Sequence, residues 1–180
     1  RDHMLKDHRR YAAGAVLRDG KPIRIRAIRP GDKEGLVDLV SRMSPEAVYF
    51  RFFRSRKRLS EGELEAFTQL DFVHDAALVA VLEEDGKERI AGVGRYAALG
   101  DPSRLPERAE IAFAVADQYQ GRGIGTLLLE HLLPIARANG IVRFEAEVLG
   151  ENNRMLELFA TSGFAIERCS NRGCNNFVEI

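Results

Sequence analysis

The sequence predicts a single α/β domain of the mixed α+β kind, in which a central, mostly antiparallel sheet is flanked by helices. Residues 76–82 are apolar at every position, which is typical of a central strand buried on both faces. Apolar side chains from Ile124 to Ile135 recur at helical spacing. A length of 180 residues suits one such domain and is too short for two of ordinary size.

The first 22 residues are expected to lie outside the domain. Residues 1–4 (Arg-Asp-His-Met) resemble a cloning remnant ahead of a start methionine, and residues 1–22 as a whole are interpreted as this remnant and an N-terminal extension. The domain is therefore predicted to span residues 23–180.

One strand and three helices are predicted to open the domain. Residues 23–28 alternate apolar and basic, as a half-exposed strand does. Asp32 is the expected N-cap of a first helix, and Ser44-Pro45 begins a short second one that runs through Phe53. Residues 60–63 form a capping box for a third. The side chains expected to face inward are Leu36, Val37, Val40 and Met43 from the first helix and Leu64 and Phe67 from the third.

The second half of the chain is predicted to alternate strands and helices. Asp85-Gly86 marks a hairpin into a strand around residues 90–96. Pro134 should kink the helix over residues 124–138 or end it early, and Asn139-Gly140 closes it. The other predicted elements are a strand over 109–115, a strand over 142–148, a helix over 152–162 ended by Gly163, and two closing strands that flank a turn at 171–173.

Charge and composition exclude several classes of partner. The 27 basic and 27 acidic residues give a formal net charge of zero, so nothing draws the chain to nucleic acid or to an anionic membrane. No apolar run approaches the roughly 20 residues that span a bilayer. Two cysteines, Cys169 and Cys174, and no secretion signal favour the reducing cytoplasm. The histidines are scattered, so no metal site is expected.

A glycine-rich turn carries the strongest functional signal. Gln120-Gly-Arg-Gly-Ile-Gly-Thr126 stands between a strand and a helix, where free amide groups and the helix dipole attract a phosphate or diphosphate. A tight turn without a ligand is the alternative. A P-loop is excluded because Gly-Lys-Ser/Thr is missing. A dinucleotide site would need glycine in place of Leu128, although an acidic residue, Glu145, does follow at the right distance.

The same residues resemble the Gln/Arg-x-x-Gly-x-Gly/Ala signature of the GNAT superfamily, the GCN5-related N-acetyltransferases. Asn152-x-x-Met155 and Gly163-Phe164 resemble its second cofactor-contacting segment. The likeness extends from Ile23 to the C-terminus, so residues 23–180 are identified as a GNAT domain. It implies acetyl-CoA as co-substrate and no metal.

The resemblance implies a role for each matching position. The strand that ends in Phe113, Ala114 and Val115 would pair its main chain with the pantetheine arm, and amides near Val115 would polarise the thioester carbonyl, worth about 3 kcal/mol. Asn152 would touch the pantetheine or the base, or serve as a helix N-cap. The residues expected to hold the diphosphate are Gly121, Arg122, Gly123, Ile124, Gly125 and Thr126, with Gln120 at the mouth beside Arg122.

Glu110 is the predicted general base, because an acceptor lysine has a pKa near 10.4 and arrives protonated. It begins an apolar strand, where desolvation should raise its pKa. The alternative is a solvated glutamate paired with Arg108 or Arg104. Many GNAT enzymes have a tyrosine as general acid where this chain has Phe159, so Phe159 is expected to pack against the core or the pantetheine. Tyr96 and Tyr119 are weak substitutes, and no general acid is assigned.

Aromatic and basic residues interleave in segment 49–58. An amphipathic helix is favoured there over nucleic-acid contact. The segment resembles the bacterial Pat-like acetyltransferases, which implies a lysine in a protein such as an acyl-CoA synthetase as acceptor. In those proteins a regulatory domain is often attached, for which 180 residues leave no room. Acetylation of a small amine and a non-catalytic acyl-CoA sensor are the rivals. A monomer or a homodimer is expected.

Overall fold

The computed structural model describes residues 7–43, 60–146, 166–167 and 176–179. The strands are β1 (Ala12–Val16), β2 (Pro22–Ala27), β3 (Asp75–Glu84), β4 (Lys87–Leu99), β5 (Arg108–Val115), β6 (Arg143–Ala146), β7 (Ile166–Glu167) and β8 (Asn176–Glu179). The helices are α1 (Lys33–Ser41), α2 (Glu61–Thr68) and α3 (Ile124–Ala138). The strands form one sheet in the order β1-β2-β3-β4-β5-β6-β8-β7. Only β5 and β6 pair in parallel among the described strands, so the predicted mixed, mostly antiparallel sheet is confirmed.

The sheet begins earlier than residue 23. β1 pairs with β2 from Ala12↔Arg26 to Val16↔Pro22, and no strand was predicted there because residues 12–16 are small and lack polar alternation. The connecting turn contains Asp19-Gly20. Asp19 Oδ1 accepts from the amide of Lys21 at 3.1 Å, and Gly20 has φ +88°. Residues 12–16 are therefore an edge strand of the sheet.

Asp32 stands at the start of α1 as predicted, but its side chain does not cap the helix. Its two carboxylate oxygens accept from Arg26 at 2.8 Å each, and Oδ2 also accepts from the amide of Arg29 at 2.9 Å. The physical reason is that Arg26 is buried, and leaving a buried guanidinium unpaired costs more free energy than leaving the helix end without a side-chain cap. Val37, expected inside, is 48% exposed, whereas Leu36 and the other predicted inward residues of α1 are buried.

The capping box of α2 is confirmed. Ser60 Oγ accepts from the amide of Glu63 at 3.1 Å, and a Glu63 carboxylate oxygen accepts from the amide of Ser60 at 3.1 Å. Leu64 and Phe67 are both buried. The helix predicted from Ser44-Pro45 lies outside the described residues.

The central strand and the hairpin after it are confirmed. Every residue from 76 to 82 is at most 3% exposed. Asp85 (φ +53°) and Gly86 (φ +77°) occupy the left-handed region, as a type I′ turn requires. The register shifts from Ala80↔Gly92 to Val81↔Ile90, which leaves one extra residue on β4 as a bulge.

Helix α3 continues through Pro134 to Ala138, so the predicted early end is wrong. Proline removes the amide that would bond to the carbonyl of Glu130, and Glu130 and Pro134 both lie on the exposed side, where water can satisfy that oxygen. Gly140, with φ +89°, closes the helix as predicted, and its amide donates to the carbonyl of Arg137 at 3.0 Å.

Helices cover both faces of the sheet. A Cβ added to Gly94 would lie 2.9 Å from the ring of Phe113 and 3.3 Å from Cβ of Leu128, so α3 packs tightly on this face. Arg95, the next residue of β4, lies on the other face with its guanidinium 4.7 Å from the ring centroid of Phe67 in α2. Among the helices of the described ranges, none has the length and apolar content that a bilayer crossing requires.

The C-terminal part is described only in its strands. β6 covers part of the predicted strand over 142–148, and β7 and β8 lie on either side of the predicted turn at 171–173, paired from Ile166↔Val178 to Glu167↔Phe177. The predicted helix over 152–162 lies outside the described residues.

Candidate functional site

The glycine-rich turn joins β5 to α3 with the geometry that an anion site needs. Gly121 and Gly123 have φ +81° and +90°, values that residues with a Cβ rarely adopt. The first helical bond runs from the amide of Leu127 to the carbonyl of Gly123 at 3.0 Å. The amides of the three residues between them, 124–126, therefore have no acceptor within the helix. The dipole of α3 adds positive potential at the same place.

Gln120 fastens this turn to the strand before it. Its Nε2 donates to the carbonyl oxygen of Val115 at 3.2 Å. The side chain predicted at the mouth of a diphosphate site thus also turns back to the end of β5. This hydrogen bond fixes the glycine turn relative to the end of β5.

One edge of β5 is open beyond Glu110 within the described ranges. β5 and β6 pair in parallel only from Arg108↔Arg143 to Glu110↔Glu145. Residues 111–115 pair with β4 alone among the residues described.

One hydrogen bond sets the direction of the peptide groups along this edge. The amide of Ala116 donates to the carbonyl of Ala91 at 2.9 Å. The two residues lie opposite each other, since the next pair in register is Val115↔Gly92. In an antiparallel pair, successive residues direct their peptide groups alternately to the partner strand and away from it. The peptide groups of Val115 therefore point away from β4.

The same alternation separates the three residues predicted to pair with pantetheine. The peptide groups of Phe113 and Val115 point to the open edge, whereas those of Ala114 point to β4. Of the three residues, only Phe113 and Val115 therefore have peptide groups on the side where a pantetheine arm is predicted to pair, because consecutive peptide groups in a strand face opposite sides. The carbonyl oxygen of Val115 already accepts from Gln120, so the amide of Val115 is the group of that residue that remains to pair along the edge.

Glu110 lies half-buried at the other end of the open edge. It pairs in register with Ala97 on one side and with Glu145 on the other. Arg108, one of its predicted partners, donates instead to Glu145 at 2.7 Å. Glu145 is buried, so the arginine neutralises it and it is not available as a nucleotide ligand.

Arg95 shares the sheet face of Glu110. It pairs in register with Ala112, two residues along β5, and lies 3.7 Å from a carboxylate oxygen of Asp75. Burial lowers the pKa of the Arg95 guanidinium, whereas the negative charges of Asp75 and Glu110 act to raise it. A half-buried cation therefore lies within electrostatic reach of the Glu110 carboxylate.

The two tyrosines considered as proton donors are both buried. The hydroxyl of Tyr96 donates to the carbonyl of Val73 at 3.0 Å and accepts from Asn139 Nδ2 at 2.9 Å. Burial raises the pKa of Tyr96 further above its ordinary value, so this hydroxyl braces the core. Tyr119 is 3% exposed, and its hydroxyl has no hydrogen-bond partner in the described part of the chain.

The sequence reasoning missed the tip of the β1–β2 hairpin, which lies against the glycine turn. The amide of Arg18 donates to the carbonyl of Arg122 at 3.2 Å, and a carboxylate oxygen of Asp19 lies 3.6 Å from the Arg122 guanidinium. A cavity of about 440 Å³ opens beside them. The β1–β2 hairpin could have been predicted from Asp19-Gly20, since the same dipeptide at 85–86 correctly predicted the β3–β4 hairpin. The cavity is lined by Lys21, Glu83, Glu84, Asp85, Gln118, Tyr119 and Arg122.

Several predicted features lie outside the described residues: Asn152, Phe159, the segment 49–58 and both cysteines. Within the ranges that are described, no three His, Cys, Asp or Glu side chains converge on a point that could hold a metal ion.

Comparison with known proteins decides the family. The family model described as "Acetyltransferase (GNAT) family" matches residues 44–164. The chain belongs to this family. The acetyltransferase PA5475 of Pseudomonas aeruginosa is 34% identical over 152 residues, which are 84% of this chain and 80% of that protein. The acetyltransferase Pat of Mycolicibacterium smegmatis is 31% identical over 147 residues, 82% of this chain but 42% of that protein.

Solved structures agree on the GNAT fold. The GNAT domain of S. lividans PAT is 37% identical with a TM-score of 0.80, covering 94% of this chain and 97% of that one. A cAMP-binding acyltransferase from Mycobacterium smegmatis is 25% identical with a TM-score of 0.64, covering 99% of this GNAT chain and 52% of that one. The resemblance to the superfamily and to Pat-like enzymes is therefore confirmed, as is the enzyme class of acetyltransferase.

Proposed function

We propose that this GNAT-family chain transfers the acetyl group of acetyl-CoA to the ε-amine of a lysine in a protein, with Glu110 as general base. The observation that carries the proposal is the continuity of the glycine turn with the open edge of β5. A diphosphate bound at the turn and a pantetheine arm laid along the edge require these two features to adjoin, and Gln120 joins them.

The main chain supplies most of the cofactor site in this proposal. The amides at the start of α3 bind the diphosphate, and the peptide groups of Phe113 and Val115 bind the pantetheine as an added strand would be bound. From Val115 back to Glu110 the strand spans about 17 Å, at roughly 3.3 Å per residue. The arm would thus lead from the turn toward the carboxylate.

Glu110 performs the proton transfer. Acetyl-CoA supplies the acetyl group as an activated thioester. Glu110, directly or through water, accepts a proton from the lysine ammonium, whose pKa is near 10.4. The freed amine forms the new C–N bond as the C–S bond breaks. The second proton of the attacking nitrogen passes to water, and the thiolate takes its proton from water, since a phenyl ring at Phe159 has none to give.

A protein lysine is the preferred acceptor because the chain is similar to proteins named Pat and to the GNAT domain of PAT. The sequence of segment 49–58 is basic and aromatic, a composition that suits an acidic protein partner. A small amine as acceptor and a non-catalytic sensor of acyl-CoA remain the competing functions, and each gives a different result below.

Cofactor binding is tested by calorimetry with coenzyme A. Gly123→Asp places a carboxylate at a residue with φ +90° and in the space meant for phosphate, so binding should be lost. Gly100→Asp is the control for backbone strain, since Gly100 also has a positive φ, of +97°. Absence of any heat with the unmodified protein would end the proposal.

Catalysis and acceptor are tested together with isotopically labelled acetyl-CoA in cell lysate. The protein should label lysines, Glu110→Gln should reduce labelling at least about 100-fold, the usual contribution of a general base, and Glu107→Gln on the adjoining exposed loop should not. Turnover with free amines but no labelled protein would select the small-molecule acceptor. Binding of coenzyme A without any transfer would select the sensor.

A further inference from the structure

We propose that Arg18, at the tip of the β1–β2 hairpin, binds a phosphate group of coenzyme A. This inference rests on the proposed function, because it assigns one more residue to the same cofactor site. No motif pointed to Arg18, which lies more than 100 positions before the glycine turn in the sequence.

Arg18 lies directly over Gly123, the N-cap of α3. Its amide donates to the carbonyl of Arg122 at 3.2 Å, which fixes the hairpin tip on the glycine turn. A Cβ added to Gly123 would lie 3.2 Å from Nε of Arg18, 3.5 Å from Cγ and 3.7 Å from Cδ. The side chain therefore extends across the N-cap, beside the free amides of the helix.

A cation at this place is electrostatically unfavourable without an anion. The N-terminus of a helix carries about half a positive charge, which repels a guanidinium. Within the described residues, the side chain of Arg18 makes no ion pair and no hydrogen bond. The neighbouring carboxylate of Asp19 lies toward Arg122, at 3.6 Å. A bound phosphate would satisfy Arg18 and the helix amides together.

The cavity beside the turn gives a second, independent indication. Tyr119 lines it, and the buried Tyr119 hydroxyl has no hydrogen-bond partner among the described residues. The nearby guanidinium of Arg42 is paired with Asp38 at 2.8 Å. The guanidinium of Arg42 lies 5.8 Å from the Tyr119 ring centroid and that of Arg122 lies 5.6 Å from it. The guanidinium of Arg122 at this end of the cavity favours a ligand rich in acceptor oxygens.

Carboxylates do occur on the opposite wall of this cavity. Glu83, Glu84 and Asp85 line it, and Glu84 lies 3.5 Å from the guanidinium of Arg89. They belong to the β3–β4 hairpin, whereas Arg18 lies at Gly123, on the side of the helix N-terminus. Because Arg18 lies over the helix N-terminus, the diphosphate of coenzyme A is the group that it is expected to bind. The 3′-phosphate of the ribose is the other phosphate that it could bind.

Two substitutions separate charge from packing. Arg18→Met keeps an unbranched stem that can cover Gly123 but removes the charge, whereas Arg18→Lys keeps a charge at nearly the same reach. Arg24→Met, at an exposed position of β2, is the matched control. Circular dichroism and thermal unfolding establish that each variant is folded before binding is measured.

Binding of acetyl-CoA, 3′-dephospho-acetyl-CoA and S-acetylpantetheine is then measured by calorimetry at low and moderate salt. Arg18→Met should weaken acetyl-CoA binding about tenfold and reduce its salt dependence, as expected for one charge-assisted phosphate contact. Arg18→Lys should recover most of the loss, and S-acetylpantetheine should be unaffected. An equal loss with the dephospho compound assigns the contact to the diphosphate, and a loss with acetyl-CoA alone assigns it to the 3′-phosphate.

Two results would overturn the assignment of Arg18. One is acetyl-CoA binding by Arg18→Met as tight as that of the unmodified protein. The other is an equal loss with S-acetylpantetheine, which has no phosphate. Either leaves the proposed transferase intact, whereas an unmodified protein that binds no acetyl-CoA contradicts the proposed function itself.

Discussion

The side-chain amide of Gln120 donates to the carbonyl oxygen of Val115 across 3.2 Å, joining the glycine turn to the last residue of β5. This bond also occupies the carbonyl oxygen of Val115, which points to the open edge of the strand. The amide of the same residue is thereby left as its contribution to that edge. A side chain that sequence reasoning placed at the ligand thus also orders the main chain around it.

Replacing Gln120 with alanine should weaken acetyl-CoA binding more than it slows chemistry. A hydrogen bond of this kind is worth about 1 kcal/mol, so KM for acetyl-CoA should rise about fivefold while kcat changes less than about twofold. Steady-state kinetics measure both. Gln69→Ala, at an exposed position at the end of α2, should leave both constants unchanged, and an equal effect of the two substitutions would contradict the role given to Gln120.

Gly94→Ala should destabilise the protein by about 1–3 kcal/mol, the usual cost of an overpacked core. The new methyl group would lie 2.9 Å from the Phe113 ring and 3.3 Å from Cβ of Leu128, so α3 would have to shift from the sheet. Denaturant unfolding measures the change. Gly14→Ala on β1, where an added Cβ meets nothing within 4 Å, is the control and should change stability by less than about 0.5 kcal/mol.

Arg26→Met should cost about 3–5 kcal/mol, because it leaves the buried carboxylate of Asp32 without its cation. Both side chains of this pair are only 6% exposed. The control is Arg24→Met at an exposed position of the same strand, for which denaturant unfolding should give a change within about 0.5 kcal/mol. Similar midpoints for the two variants would show that the buried pair contributes little.

Stability should also fall with rising pH through His74. Its Nδ1 lies 3.0 Å from Asp71 Oδ2 and its Nε2 lies 3.2 Å from the carbonyl of Arg104, and both acceptors favour the doubly protonated ring. These hydrogen bonds raise the pKa of His74 above its ordinary value of 6.5. Its contribution is thus complete below about pH 6.5 and disappears as pH rises through the folded-state pKa.

The check on His74 is a comparison of melting temperatures at acidic and alkaline pH. The difference between the unmodified protein and His74→Gln should shrink by about 1–2 °C on going to alkaline pH, a small effect because the site is exposed. A difference that grows with pH would contradict the assigned protonation.

Local patterns predicted most of the fold. The capping box at Ser60 and the turn at Asp85-Gly86 act within three or four residues, so the sequence alone determined them. Asp32 failed as a cap because its partner, Arg26, comes from β2, and no local pattern reports that burial. Pro134 failed as a helix end because the freed carbonyl faces water, which depends on how α3 sits on the sheet.

In the candidate site, too, some features follow from the local sequence and others only from the fold. The glycine turn was evident from spacing, since Gly121 and Gly123 mark positive φ values. The alternation that separates Ala114 from Phe113 and Val115 depends on the register with β4, which one sequence does not contain. Arg18 reaches the turn only because β1 and β2 fold back against it, and small residues in β1 gave no amphipathic signal.

The N-terminal hairpin has a practical consequence for where the domain is cut. The family match starts at residue 44, and the resemblance suggested a boundary at 23, so trimming to either point would delete β1. A version starting at residue 23 would turn the remainder of β2 into an unshielded border of the sheet, with peptide groups free to recruit another polypeptide. Such a shortened protein should precipitate or self-associate on purification, whereas one that retains residues 7–22 should not.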